Sequence, residues 1–152
     1  HHISPYRPTE LRATVATMNH TLQLETPGPG LVEFTASVAA FVARSGVRSG
    51  LCTVFCRHTS ASLIIQENAD PSAQRDLERW LNRLVPEGDP LYTHTAEGPD
   101  DMPAHIKAAL TATSIGVPIV DGRLALGTWQ GIYLWEHRRG AHLRQIVLHI
   151  SV

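Results

Sequence analysis

The stretch 58-HTSASLIIQENADP-71 decides the fold of this chain, because it holds an apolar strand with polar residues at both of its ends. Residues 58–60 precede the apolar run 63–65, and Glu67 and Asn68 follow it. A strand that contributes to a core carries apolar residues, and the junctions at its ends are where a rigid scaffold presents reactive groups. We therefore predict a strand over residues 61–66 and a candidate site among the polar residues that flank it.

Strand-like segments lie on both sides of this stretch. Apolar runs predict further strands over residues 21–25, 31–34, 51–57, 115–120, 123–126, 132–136 and 143–152. Asp121-Gly122 is a two-residue hairpin signal between two of them. Helical spacing predicts helices over residues 35–45, after Asp70-Pro71 and after residues 100–103. The sum is an α+β fold of largely antiparallel strands with about three helices.

The predicted helices have recognisable starts and faces. Thr35, Asp70 and Asp101 suit N-caps, and Pro71 suits the first helical position. In the second helix we assign one stripe to the core, formed by Ala73, Leu77, Trp80, Leu81 and Leu84. In the third helix the residues predicted to point inward are Ile106, Ala109 and Leu110.

Composition limits the classes of protein to which the chain can belong. Its 152 residues are 43% hydrophobic and 18% charged with a formal net charge of −1, which is typical of one globular domain and gives no reason to expect a nucleic-acid or membrane partner. Cys52 and Cys56 are predicted to be buried, reduced thiols, which favours the cytoplasm. We interpret residues 1–17, which open with two histidines, as a tag remnant or N-terminal extension, and residues 18–152 as a single domain.

Three histidines are candidate metal ligands. His94 and His105 flank the acidic loop 97–101, and with His58 they give the number of imidazoles that an open zinc site uses. The alternative is that each is an ordinary surface or core histidine. Three carboxylates, Glu67, Asp100 and Asp101, are candidate bases, magnesium ligands or partners that orient a histidine. The alternatives are a turn residue for Asp100 and a helix cap for Asp101.

Residues 127–131, Gly-Thr-Trp-Gln-Gly, form an unusual segment between two predicted strands. One interpretation is a bulge filled by Trp129; the other is a loop whose Thr128 hydroxyl, Gln130 carboxamide and backbone amides approach an anionic ligand. A basic cluster near the end of the chain, Arg138, Arg139 and Arg144, is read as a solvated face or as a neighbour of phosphate.

Four ordered motifs resemble the YjbQ family, often labelled secondary thiamine-phosphate synthase. They read HTSASLIIQENADP, YTHTAEGPDDMPAHIKAAL, VPIVDGRLALGTWQGIYLWEHR and the final arginine-bearing strand, and the match runs from about Met18 to the C-terminus. The chain carries Asp100-Asp101 where many relatives have Asp-Asn, which suggests a more strongly cation-binding pocket.

The resemblance implies a β-sandwich with flanking helices, jelly-roll-like in arrangement, that assembles as a homotrimer. It implies a pocket near subunit boundaries that contains His58, Glu67, Asn68, His94 and His105. It also implies a divalent metal, zinc or magnesium, held by His58, His94 and His105.

Two classes of function follow as hypotheses. The first is a metal-assisted transferase that joins hydroxymethylpyrimidine diphosphate to thiazole phosphate, with His58, Glu67, Asn68, Asp100 and Asp101 as catalytic residues. The predicted substrate-binding residues are Thr59, Ser60, Thr128, Trp129, Gln130 and Arg144. A related alternative is a metal-dependent hydrolase. The second class is a non-catalytic trimer that binds a metal or a small, phosphorylated ligand.

Overall fold

The computed structural model describes residues 18–152, so the prediction for residues 1–17 lies outside the described part of the chain. Eight strands and three helices follow one another in the order β1 (Asn19–Thr26), β2 (Gly30–Glu33), α1 (Thr35–Ser45), β3 (Gly50–Cys56), β4 (Ala61–Glu67), α2 (Pro71–Leu84), α3 (Asp101–Leu110), β5 (Ser114–Val120), β6 (Arg123–Leu124), β7 (Gln130–Glu136) and β8 (His142–Ser151).

The strands form two antiparallel sheets that pack face to face. The larger sheet has the order β1-β8-β3-β5-β6, and the smaller has the order β2-β7-β4. Both contribute buried side chains to one core, for example Val54 and Leu148 from the larger sheet and Leu63 and Leu134 from the smaller. The α+β class, the antiparallel sandwich and the three helices are confirmed.

Alternating side chains place the two cysteines in this core. Along β3, Cys52, Val54 and Cys56 point inward, whereas Leu51 and Phe55 point to the outer face of the larger sheet. Both cysteines are free thiols. Burial raises the pKa of Cys52 to about 11, so this thiol stays protonated and unreactive at neutral pH.

Local turn chemistry explains several boundaries. Asp121 and Gly122 both have positive φ (50° and 80°), as a type I′ turn requires, and they join β5 to β6. Thr35, by contrast, is the first residue of α1 and makes no cap. Its hydroxyl donates to Glu33 Oε2 (2.7 Å) and accepts from the Ile132 backbone N–H (2.8 Å). The prediction of a Thr35 cap is therefore wrong, because this hydroxyl ties α1 to β7.

Helix α2 begins as predicted but shows a different face to the core. Asp70 caps it by accepting from the Ser72 backbone N–H (2.9 Å), and Pro71 follows at the first position. Leu81 is buried, whereas Trp80 is 53% exposed and Leu84 equally so. The assignment of Trp80 and Leu84 to the core is wrong.

Helix α3 also corrects the predicted inward face. Its buried residues are Asp101, Pro103 and Ala104, while Ala109 and Leu110 are exposed. Among residues 18–152, none of the helices has the length and apolar character needed to cross a membrane.

Candidate metal centre

The loop before α3 and the first turns of α3 bring two of the predicted histidines together. His94 lies in the loop before α3, Asp101 is the first residue of α3, and His105 follows one turn later. Positions i and i+4 lie on the same helix face, so the side chains of Asp101 and His105 project in the same direction. The loop folds back so that the His94 ring lies 5.4 Å from the His105 ring, measured between centroids.

A single carboxylate oxygen joins the two imidazoles. Asp101 Oδ2 lies 2.7 Å from His94 Nε2 and 3.0 Å from His105 Nε2. The Glu97 carboxylate is 3.9 Å from His94 Nε2. One ligand atom from each of His94, Glu97, Asp101 and His105 lies within 4.8 Å of all the others. We call these four residues the His–Asp cluster.

The hydrogen bond on the far side of His105 determines which ring nitrogen carries the proton. His105 Nδ1 lies 2.9 Å from the Thr59 carbonyl oxygen, which only accepts. Nδ1 therefore carries the proton, and in a neutral ring Nε2 presents a lone pair to Asp101 Oδ2. Two lone pairs 3.0 Å apart repel one another unless a proton or a metal ion lies between them.

Arg138 holds the acidic side of the cluster in place. Its Nη1 donates to Asp101 Oδ1 (2.8 Å), its Nε donates to Asp100 Oδ2 (3.0 Å) and its Nη2 donates to the Glu97 carbonyl (3.0 Å). Asp101 is only 1% exposed. Burial alone would raise its pKa, but the hydrogen bond with His94 and the charge of Arg138 oppose burial, and the pKa of Asp101 lies below its usual value.

The donor set fits a divalent transition metal. Two imidazole nitrogens and carboxylate oxygens are the ligands zinc prefers, at bond lengths near 2.0–2.1 Å. Ligand atoms around a tetrahedral ion of that size are about 3.3 Å apart, and the His94–Asp101, His105–Asp101 and His94–Glu97 separations lie on either side of that value. With an ion bound, the Thr59 carbonyl and Arg138 would be the outer partners that orient its ligands.

His58 is not brought into this cluster. Its Nε2 accepts a hydrogen bond from the Gln145 backbone N–H (2.8 Å), which engages the lone pair that a metal would need. Burial, followed by the charge of Arg144, lowers the pKa of His58. The structure thus assembles two of the three predicted metal ligands, and it adds Asp101 and Glu97 to them.

Asp100 and Asp101, predicted as catalytic or magnesium-binding, have separate surroundings. Asp100 accepts from the Arg138 side chain and from the Arg139 backbone N–H (2.9 Å), and it does not face the histidines. Asp101 makes no cap hydrogen bond at the start of α3. The cap interpretation of Asp101 is wrong, because both of its oxygens are engaged by Arg138 and the two histidines.

The remaining predicted residues form a second group at the far end of β4. Glu67 lies opposite Gln130 in the β4–β7 pair, and the Asn68 backbone N–H donates to the Trp129 carbonyl (2.9 Å). Trp129 is 62% exposed. A Cβ on Gly131 would lie 2.6 Å from Glu33 Oε2 and 3.0 Å from Asn68 Cβ, so a side chain there would displace the Glu33 carboxylate and press on Asn68. The seven residues of β4 separate this group from Thr59 by about 20 Å.

Arg144 forms a buried ion pair with Glu136 and also donates to Ser60. Arg144 Nε donates to Glu136 Oε1 (2.7 Å), and Arg144 Nη2 donates to Ser60 Oγ (3.0 Å). Thr26 donates to the same Glu136 oxygen (2.6 Å). Arg144 and Arg138 are thus largely buried in ion pairs, so the interpretation of the basic cluster as a solvated face holds only for Arg139.

Sequence reasoning missed one member of the cluster, Glu97, and the role of Arg138, which binds its acidic side. Glu97 stands three residues after His94, a spacing that allows both side chains to reach one ion, and this was the only available signal. Arg138 gave no local signal, because its partners lie 37 and 38 residues earlier in the chain.

Comparisons with known proteins agree with this architecture. Residues 20–152 match the family described as UPF0047 protein YjbQ-like. A UPF0047 protein of Synechocystis is 55% identical over 139 residues, covering 91% of this chain and 95% of the relative. The UPF0047 protein YjbQ of Escherichia coli O157:H7 is 46% identical over 101 residues, covering 66% of this chain and 72% of the relative.

Solved structures give the same result at the level of the fold. A YjbQ/UPF0047 family protein of Clostridium acetobutylicum superposes with a TM-score of 0.80 at 39% identity, covering 87% of this chain and 99% of the other. A YbjQ-like protein of unknown function from Sulfolobus solfataricus has a TM-score of 0.77 at 23% identity, covering 87% and 96%, and shares the fold. From the profile match and the relatives that span most of its length, the chain belongs to the YjbQ-like UPF0047 family.

Proposed function

We propose that this protein binds a divalent transition metal through the His–Asp cluster and uses it in hydrolysis of a small, phosphorylated molecule. The observation that carries the proposal is the geometry of His105. Its Nδ1 is committed to the Thr59 carbonyl, and its Nε2 faces the Asp101 oxygen that His94 also contacts. A metal ion between His94 Nε2, His105 Nε2 and Asp101 Oδ2 would remove the lone-pair repulsion and bind the His105 nitrogen that faces the cluster.

Zinc or a similar ion suits the cluster better than magnesium. Magnesium takes oxygen ligands in an octahedral arrangement and keeps several waters, whereas imidazole nitrogens suit zinc, copper, iron and nickel. The cluster offers two imidazoles and two carboxylates. We therefore assign zinc-type metals to this site.

The chain's own residues define what such a site does. A bound ion would supply Lewis acidity and lower the pKa of water near it. Arg138 fixes the Asp101 carboxylate, and the Thr59 carbonyl fixes the His105 ring, so both ligands are pre-oriented. His94, Asp101 and His105 would hold the ion and leave one coordination position open. The Glu97 side chain, which is 64% exposed, would remain free to exchange a proton with solvent during hydrolysis.

The synthase-like joining of a pyrimidine diphosphate and a thiazole phosphate is the second candidate. The observation that favours it is the exposed indole of Trp129, a surface on which a heteroaromatic ring can stack. Within one protomer, Trp129 and its neighbours Glu67 and Asn68 lie at the other end of β4 from the His–Asp cluster. A synthase would therefore need the two groups to meet across a subunit boundary.

The homotrimer would supply such a boundary. The outer face of the larger sheet supports it, because this face carries exposed apolar side chains on three adjacent strands. They are Leu51, Phe55, Val120 and Leu143. Light scattering coupled to size-exclusion chromatography measures the assembly directly, and a monomeric mass would contradict both the trimer and the synthase candidate that depends on it.

Metal analysis of the purified protein tests the proposal. The wild-type protein is expected to bind one zinc ion per chain in a calorimetric titration. His94→Gln, His105→Gln and Asp101→Asn should each weaken zinc binding by more than the roughly 10–100-fold that loss of an outer partner costs. Arg138→Gln, which removes such a partner, should fall within that range.

Two histidines outside the cluster serve as controls. His20→Gln and His58→Gln should retain the zinc affinity of the wild type, because neither ring belongs to the cluster. Loss of zinc from His58→Gln together with retention in His94→Gln would contradict the assignment. Zinc binding without zinc-dependent release of phosphate from phosphate esters would leave a metal-binding protein and contradict the hydrolase.

A further inference from the structure

A cleft opens between α2 and α3, on the opposite side of α3 from His94 and His105. His105 and Lys107 are two positions apart, which turns their side chains about 200° from one another around the helix. The cleft has a volume of about 240 Å³ and adjoins a recess of about 70 Å³. Four residues line both cavities: Pro29, Asn82, Lys107 and His137.

Two cations at the cleft have hydrogen-bond donors to spare. Lys107 Nζ donates to Asn82 Oδ1 (2.6 Å), which uses one of the three protons of the ammonium group. Arg139 binds the Glu87 carboxylate through Nη2. Among residues 18–152, no acceptor meets its Nε or Nη1. Both side chains can therefore add a ligand without losing an existing contact.

His137 forms the floor of the cleft and is only 5% exposed. Its Nε2 lies 2.8 Å from Ser62 Oγ, which in turn accepts from the Thr111 hydroxyl (2.6 Å). When Ser62 donates to Nε2, the ring proton is on Nδ1, and no residue of the described part of the chain accepts it. Burial, reinforced by the charge of Lys107, lowers the pKa of His137 to about 3, so the ring is a neutral donor.

The carboxylates around the cleft already have partners. Asp100 accepts from Arg138 and from the Arg139 backbone, and Glu87 binds Arg139. Glu78 accepts from the Leu31 backbone N–H (2.8 Å). Asp100 and Glu87 are thus paired with guanidinium groups, and the unused donors of Lys107 and Arg139 favour an anionic ligand over a metal ion.

We propose that this cleft binds the phosphate group of a small molecule, with Lys107, Arg139 and His137 as its donors. Lys107 comes from α3, and His137 and Arg139 come from the segment that follows β7, so the donors reach the cleft from two sides. Donors that converge from different directions suit a tetrahedral oxyanion better than a planar carboxylate. No residue of the His–Asp cluster lines the cleft, so the proposal does not depend on metal binding.

Orthophosphate titrated at constant ionic strength tests the proposal. Phosphate should raise the melting temperature of the wild-type protein in a saturable way. Lys107→Gln and Arg139→Gln should each weaken phosphate binding by about tenfold, since a charge-assisted hydrogen bond is lost. Arg79→Gln, an arginine on the outer side of α2, should bind phosphate as the wild type does.

A second measurement follows phosphate binding in the wild-type protein, and His137→Gln serves only to assign the signal. In ¹⁵N spectra of wild-type protein, the ring signal that is missing from His137→Gln should shift with phosphate, and it should remain still with sodium chloride. Equal affinity in Lys107→Gln and Arg79→Gln, or a ring signal that does not shift, would overturn the proposal. Loss of the phosphate effect in His94→Gln would place the anion at the His–Asp cluster. An equal response to acetate would show a carboxylate site. Either outcome would also overturn the proposal.

Discussion

His137 is a buried histidine whose pKa lies far below its ordinary value. Its pKa is lowered by burial to about 3, against an ordinary value of 6.5. The unfolded chain therefore binds a proton between these two values that the folded chain does not bind. Stability from this group is fully present above pH 6.5 and is lost progressively as the pH falls towards 3.

The first prediction concerns this pH dependence. Between pH 7.5 and pH 5.0, His137 alone should lower the free energy of unfolding by about 2 kcal/mol, because 1.5 pH units separate pH 5.0 from the unfolded pKa. Urea denaturation at the two pH values measures the loss. In His137→Gln the loss should be smaller by that amount, and identical losses in the two proteins would contradict the prediction.

The residues of the His–Asp cluster show how far single positions can be interpreted from sequence. His94 and His105 were predicted to face one cavity across the acidic loop, and the structure places their rings 5.4 Å apart. Asp101 was interpreted as a cap because aspartate at a helix start usually is one. Instead, Asp101 accepts from Arg138, which lies 37 residues later in the chain, and no local pattern indicates that contact.

At the scale of elements, α2 shows how polar contacts set the rotation of a helix. Gln74 donates to the Tyr133 hydroxyl (2.9 Å), and Glu78 accepts from the Leu31 backbone. Both lie on the face that packs on the smaller sheet, with Leu81 between α2 and that sheet. Trp80 consequently turns to the solvent side, beside Arg79 and Arg83.

The second prediction compares two neighbours in α2. Leu81→Ala should lower the free energy of unfolding by about 2–5 kcal/mol, because it empties a buried site. Trp80→Ala should cost no more than about 1 kcal/mol, because half of the indole is already in water. Chemical denaturation of both variants measures the difference. A larger cost for Trp80→Ala would mean that another surface covers this face.

At the scale of the whole molecule, one buried ion pair connects the two sheets. Glu136 ends β7 of the smaller sheet, and Arg144 lies in β8 of the larger. Burial alone would raise the pKa of Glu136, but the hydrogen bonds from Arg144 and Thr26 outweigh it and lower the pKa. The carboxylate therefore stays charged inside the protein.

The third prediction is a double-mutant cycle on this pair. Arg144→Met should destabilise the protein by about 3–5 kcal/mol, because it leaves a buried charge without its partner. Adding Glu136→Gln should recover part of that loss, because the orphaned charge disappears. Urea unfolding of the two single variants and the double variant measures the coupling. Strictly additive losses would show that the two side chains do not act together.

The sequence by itself determined the order of strands and helices, the Asp70-Pro71 start of α2, the Asp121-Gly122 turn and the burial of both cysteines. These features depend on side-chain period and on backbone preferences that act over a few residues. Only the tertiary structure decided that the Thr59 carbonyl orients His105, that Arg138 binds the acidic side of the cluster, that His58 turns to β8, and which face of α2 is buried. Those outcomes depend on contacts between residues about 40 to 90 positions apart, which no local pattern encodes.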